Sequence, residues 1–288
     1  MNNAIQVMLD KYHPTNNSER ENAIKEIIQE IVLAGLSRGG FFEKAAFYGG
    51  TCLRIFYGLN RFSEDLDFAL IDNKESFNLE VYFPYVKKEL LSYGIDMEII
   101  TKDKNEGVEV QTAFAKGNTL TLLMQFFPND EEARQIIGNQ KAKVKFEIDT
   151  DNPSGGTTEI KYQLLPAPYE VRVFDESTLF SGKIHAVICR EYKHHVKGRD
   201  FYDYLFYCGK GTRVNLAYLE NKLKSSGKID NKTKLTIEKV KELLLEKFKT
   251  VDYESAKKDV RNFVNSDSGL NLWSSDLFIS TLDSLKTK

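Results

Sequence analysis

The chain has 288 residues, 41% of them hydrophobic and 28% charged, and its 40 Lys and Arg against 42 Asp and Glu leave a formal charge of −2. This length suits roughly two domains of about 150 residues, and the composition excludes a disordered or membrane-spanning class. The stretch Met1 to Asp10 has no basic n-region, so a cytoplasmic protein with no membrane partner is expected.

Ser18-Glu19-Arg20-Glu21 reads as a capping box, and Ile24, Ile27, Ile28 and Ile31 follow at helical spacing, which predicts an amphipathic helix over 18–36. Residues 41–70 read as strand, turn, short helix, turn and strand, with Gly58 and Asn60 stopping the helix. A helical pattern returns over 77–93, followed by strands at 96–101, 108–114, 120–126 and 143–148. The turn-rich Asp151 to Gly156 and the pair Pro166 and Pro168 place a domain end within 150–170. Helices are then predicted at 179–196, 200–208, 215–224, 236–249, 253–264 and 274–285. The expected class is α+β, a mixed sheet with flanking helices over 1–165 followed by an α-helical domain over 166–288.

The densest chemistry lies near Gly49-Gly50-Thr51 and Ser63-Glu64-Asp65-Leu66-Asp67-Phe68. A glycine turn from strand to helix exposes backbone N–H groups and lets a phosphate approach without a Cβ in the way. Period-2 alternation aims Asp65 and Asp67 at one face and sends Leu66 and Phe68 into the core. Two carboxylates beside a phosphate cradle suit a divalent metal on a nucleoside triphosphate. A third carboxylate would come from another strand, either Glu147, which has apolar strand neighbours on both sides, or Asp149.

Between Lys183 and Arg199 stand five Lys or Arg and three His against one Glu. Lys183 and Arg190, two turns apart on one predicted helix, would share a face and meet phosphate oxygens. Asp200 would cap the next helix near Arg199. His194 and His195 are adjacent and cannot share a helix face, so they do not read as a metal pair. Cys52, Cys189 and Cys208 have no zinc spacing and are assigned to packing.

Gly49-Gly50-Thr51-x-Leu53-Arg54, Arg61-Phe62-Ser63-x-Asp65-Leu66-Asp67-Phe68, Lys183, and Lys197-Gly198-Arg199-Asp200-x-Tyr202-Asp203 together resemble the AbiEii/AbiGii and MenT group of bacterial nucleotidyltransferase toxins. More broadly, the pattern is similar to the DNA polymerase β nucleotidyltransferase superfamily. The resemblance covers about 40–285 and includes Asp259-Val-x-x-Phe263 and Trp273-Ser274. Thr51 stands where the superfamily turn more commonly has serine.

The resemblance implies a nucleotidyltransferase fold over 1–165 and a toxin that moves a nucleoside monophosphate from a triphosphate to an acceptor. Asp65 and Asp67 would hold one or two Mg²⁺, with Gly49, Gly50, Thr51 and Ser63 on the triphosphate. Lys183 and Asp200 match positions the family treats as catalytic, and Arg54, Arg61 and Arg190 would stand behind Lys183 on the pyrophosphate. The expected acceptor is the tRNA 3′ end, and a cognate antitoxin is an expected partner. A protein or small-molecule hydroxyl is the alternative acceptor, and a non-catalytic nucleotide- or RNA-binding module is the alternative function.

Overall fold

The computed structural model describes residues 3–71, 77–100, 114–116, 119–129, 131, 134, 142–192, 195–264 and 269–288. These fall into two compact units, one of 1–57, 62–152 and 159–173, the other of 58–61, 153–158 and 174–288. No helix among the described residues is long and apolar enough to cross a membrane.

The first unit opens with α1 (Asn3–Tyr12) and α2 (Asn17–Arg38). Asn16, not Ser18, caps α2: its side chain accepts from the Glu19 N–H at 2.9 Å, while the Glu19 carboxylate accepts from the Thr15 N–H and hydroxyl. The capping box therefore closes two residues earlier than the sequence suggests. β1 (Ala45–Tyr48), α3 (Gly49–Tyr57) and β2 (Asp65–Leu70) follow. Next come α4 (Phe83–Leu91), β3 (Ile95–Ile100), β4 (Phe114–Lys116), β5 (Thr119–Pro128) and β6 (Ala142–Asp149). Most of the strand expected at 108–114 lies outside the described residues.

β7 (Thr158–Gln163) and β8 (Tyr169–Phe174) lie in a stretch where the sequence reading expects a domain end and no element. The sheet order is β3-β5-β6-β2-β1-β8-β7, with β4 paired to β5. β1 runs antiparallel to β2 and parallel to β8, and β2 runs parallel to β6. This is the expected mixed sheet. Phe68 anchors it, with ring centroids 4.9 Å from Phe41, 5.2 Å from Phe47 and 6.0 Å from Phe146. All four rings are buried, which fixes the register of β2 and hence the face its aspartates present.

The second unit is helical: α5 (Glu176–Cys189), α6 (Gly198–Lys210), α7 (Leu216–Ser225), α8 (Ile237–Thr250), α9 (Tyr253–Arg261) and α10 (Ser275–Ser280). Phe201, Tyr204, Phe248 and Phe278 form its aromatic core. α5 stops seven residues short of the expected 196, because Arg190 turns to extended backbone at ψ 129°. Gly198 begins α6 against α9, where a Cβ would overlap the Ala256 carbonyl. Only glycine allows that approach.

Candidate active site

In the first unit, β1 ends at Tyr48, the register partner of Asp67, and the chain turns at once into α3 through Gly49 at φ +81°. A Cβ on Gly49 would overlap the Asp67 carboxylate. The glycine thus lets the helix start and the second aspartate occupy adjoining space. Thr51, the third residue of the turn, departs from its expected role: its side chain is buried and its hydroxyl donates to the Asp65 carbonyl at 2.5 Å. It ties α3 to the start of β2 and leaves only its backbone to face a ligand.

Asp65 and Asp67 are half-buried and alternate with the buried Leu66 and Phe68. Across the parallel pairing Asp67 is the partner of Glu147, Asp65 that of Lys145, and Ala69 that of Asp149. Glu147 therefore lies level with Asp67, whereas Asp149 lies two residues beyond, its Oδ1 accepting from the Asp151 N–H in the following turn. The Glu147 carboxylate is engaged by Lys145. That hydrogen bond, aided by Asp65 and Asp67, holds the Lys145 ammonium above the usual lysine range. Sequence reasoning missed Lys145, although its spacing of two from Glu147 on a strand is the signal for a shared face.

Among the described residues no three His, Cys, Asp or Glu side chains converge as a metal-binding group. A magnesium ion nevertheless takes one or two carboxylates and completes its shell with water and substrate phosphates. The Asp65–Asp67 pair, beside a glycine turn with no Cβ, fits that limited demand.

The other residues expected on the nucleotide divide. Gly50 continues the α3 start, and Ser63 is half-buried, its carbonyl accepting from Gln29 Nε2 at 3.2 Å. Arg54 is held inside the unit: its Nε donates to Glu26 at 3.0 Å and its guanidinium lies 4.7 Å over the Phe62 ring. Its charge answers a buried carboxylate there, so it does not stand open to a phosphate.

The second unit gathers a charged network. Lys183 on α5 directs Nζ to Asp200 Oδ1 at 2.8 Å and to Asp203 Oδ2 at 2.9 Å. Arg190 reaches Asp200 Oδ2 at 2.5 Å. Lys183 and Arg190 meet on one carboxylate, though by the bend at the end of α5 and not by a shared helix face. Arg61 also differs from its expected place. Its side chain is 3% exposed and donates Nε and Nη2 to the two oxygens of Asp203, each at 2.7 Å. A guanidinium with both fork arms closed on a buried carboxylate is not presented to a phosphate.

Asp200 is no helix cap: it is buried in the first turn of α6, while Arg199 pairs with Asp259 and stacks 4.1 Å over Phe263. Burial opposes the Asp200 charge, but Lys183 and Arg190 outweigh it and bring its pKa down to about 2. Burial likewise opposes the Lys183 charge, and Asp200 with Asp203 holds that ammonium above the usual lysine range. His195 pairs with Asp259 at 2.9 Å. Lys193 and His194 lie outside the described residues.

The family described as nucleotidyl transferase AbiEii toxin, type IV TA system, matches residues 31–279. Among solved structures, MenT4, a nucleotidyltransferase toxin from Mycobacterium tuberculosis, is similar with a TM-score of 0.61 at 14% identity, covering 96% of this chain and 89% of that one. JHP933 from Helicobacter pylori gives a TM-score of 0.50 at 17% identity, covering 91% and 88%. At these identities the structural likeness speaks for the fold. No curated protein sequence matches the chain. The family match spans the glycine turn, both strand aspartates and the Lys183 network, and on it the chain belongs to the AbiEii nucleotidyltransferase toxins of type IV toxin–antitoxin systems.

Proposed function

We propose that this nucleotidyltransferase is Mg²⁺-dependent and transfers a nucleoside monophosphate from a triphosphate to the 3′ end of tRNA. The observation that carries the reading is the packing of the Asp67 carboxylate against Gly49, with Asp65 on the same face. Asp65 and Asp67 would hold the divalent ion, with Glu147, the register partner of Asp67, as the third carboxylate. When bound, the ion supplies positive charge against the triphosphate oxygens.

The chain's own groups do the rest. Backbone N–H groups at the start of α3, at Gly49, Gly50 and Thr51, would take phosphate oxygens, and Ser63 would add a hydroxyl. Lys183 and Arg190 would meet the charge that develops on the leaving pyrophosphate. Asp200, with a pKa of about 2, is too weak a base to take a hydroxyl proton near neutral pH. Its part is to hold Lys183 and Arg190 in place. The basic character of residues 183–199 suits the phosphates of an RNA acceptor. As a toxin of a toxin–antitoxin system, the protein would act in the cytoplasm and be countered by a cognate antitoxin.

The test is to incubate the purified protein with Mg²⁺, each α-labelled nucleoside triphosphate in turn and total cellular RNA, beside an Asp65→Ala control. The expected result is label in a tRNA-sized band only when Asp65 is intact. Label in protein or in small molecules would move the acceptor elsewhere, and no label with any nucleotide would retire the tRNA reading.

A further inference from the structure

We infer that Arg61 and Asp203 form a positioning pair that fixes the Lys183 ammonium for the transferred or leaving phosphate, and that Arg61 serves this pair instead of the nucleotide. The inference rests on the reading of Lys183 as a phosphate-facing residue.

Asp200 and Asp203 stand three apart on α6 and so share one helix face. Both therefore reach Lys183, at 2.8 and 2.9 Å. An ammonium has three N–H donors. Two point to these carboxylates, and the side chain keeps 16% of its surface open, so the third donor remains for a ligand oxygen.

The two carboxylates are not equivalent. Asp200 is shared with Arg190, whose side chain is 44% exposed. Asp203 is wholly buried, and its opposite partner is the buried fork of Arg61. Two parallel bonds from a planar guanidinium leave that carboxylate no freedom to rotate. Its Oδ2, accepting from both Arg61 Nη2 and Lys183 Nζ, is therefore a fixed point for the ammonium. The segment that brings Arg61 there is itself tied to α6, since the Tyr202 hydroxyl donates to the Asn60 carbonyl at 3.1 Å.

The charged groups facing Lys183 are Asp200, Asp203, Arg61 and Lys197. Without the Asp203 charge, one carboxylate would stand against two neighbouring cations and burial. Lys183 would then lose its proton at lower pH.

The test compares Asp203→Asn, Arg61→Gln and Arg61→Lys with the parent by two readouts. The first is the titration of the Lys183 side chain by ¹⁵Nζ NMR, assigned with Lys183→Arg. The second is the pH dependence of kcat and of the nucleotide KM. Asp203→Asn is expected to lower the Lys183 pKa by about one unit or more and to move the alkaline limb of kcat down with it. Arg61→Gln is expected to cut kcat by roughly tenfold or more with little change in KM, and Arg61→Lys to restore part of that loss. Should a single variant fail to fold, Arg61→Gln combined with Asp203→Asn removes both buried charges together and leaves neither orphaned. Because it also removes the Arg61 charge, which itself lowers the Lys183 pKa, its Lys183 titration should fall by less than in Asp203→Asn, while kcat drops with little change in nucleotide KM.

An unmoved Lys183 titration in Asp203→Asn overturns the inference, and so does an unchanged kcat in the double variant. So does a rise in nucleotide KM as the main effect of Arg61→Gln, which would return Arg61 to the phosphates. Because the NMR titration needs no turnover, a parent protein that labels no acceptor would sink the catalytic reading of Lys183 while the geometry of the pair is still decided.

Discussion

Gly49 and Gly58 both sit at φ +81°, yet a Cβ at Gly49 would overlap the Asp67 carboxylate while one at Gly58 would meet nothing within 4 Å. Alanine at either position incurs left-handed backbone strain of about 1–2 kcal/mol, less about 0.4–1 kcal/mol recovered from a stiffer unfolded chain. Gly58→Ala should therefore cost about 1 kcal/mol. Gly49→Ala adds an overlap cost of about 1–3 kcal/mol, for a total of roughly 2–4 kcal/mol. The larger consequence is chemical: displacing Asp67 by about 1 Å should reduce transfer on the order of 100-fold. Urea unfolding of both variants and the parent, together with the labelled-nucleotide assay, separates the terms. Equal stability losses with activity kept in both would refute the reasoning, because the contact between Gly49 and Asp67 would then have no energetic or functional weight.

Two further outcomes follow from the same geometry. Glu30 is 8% exposed, and burial, reinforced by the nearby Glu26, raises its pKa from 4.5 to about 8. The unfolded chain releases this proton near the lower value and the folded chain only near the higher, so stability should decline as pH rises from about 4.5 to 8. Glu30→Gln should flatten that decline, by at most about 5 kcal/mol at its upper end; urea midpoints that fall in parallel for variant and parent between pH 5 and pH 8 would refute it. Glu147 lies level with Asp67 and Asp149 does not, so Glu147→Gln should raise the Mg²⁺ concentration needed for half-maximal transfer while Asp149→Asn leaves it unchanged. Mg²⁺ titration of the two variants reads the difference, and the reverse order would assign the third carboxylate to Asp149.

Local signals in the chain determine most of the elements. Periodicity and caps place α2 and α6 to α9 to within a few residues, because spacing and termination are near-neighbour properties, whereas α10 ends five residues before the expected 285. The alternation Asp65-Leu66-Asp67-Phe68 likewise states which face is polar, since a strand has no other choice. Tertiary structure decided where each charge is answered. Arg61 looks like a free cation beside the nucleotide motif, yet its partner Asp203 stands 142 residues away. Arg54 finds Glu26 across 28 residues. No local pattern carries such pairings, because a buried charge must find an opposite one wherever the fold brings it. β8 shows its alternation openly in Tyr169-Glu170-Val171-Arg172-Val173, but β7 was hidden for a related reason. β7 turns Ile160 and Tyr162 to solvent, so it lacks the buried apolar face by which a strand announces itself, and only its place beside β8 at the sheet edge makes it one.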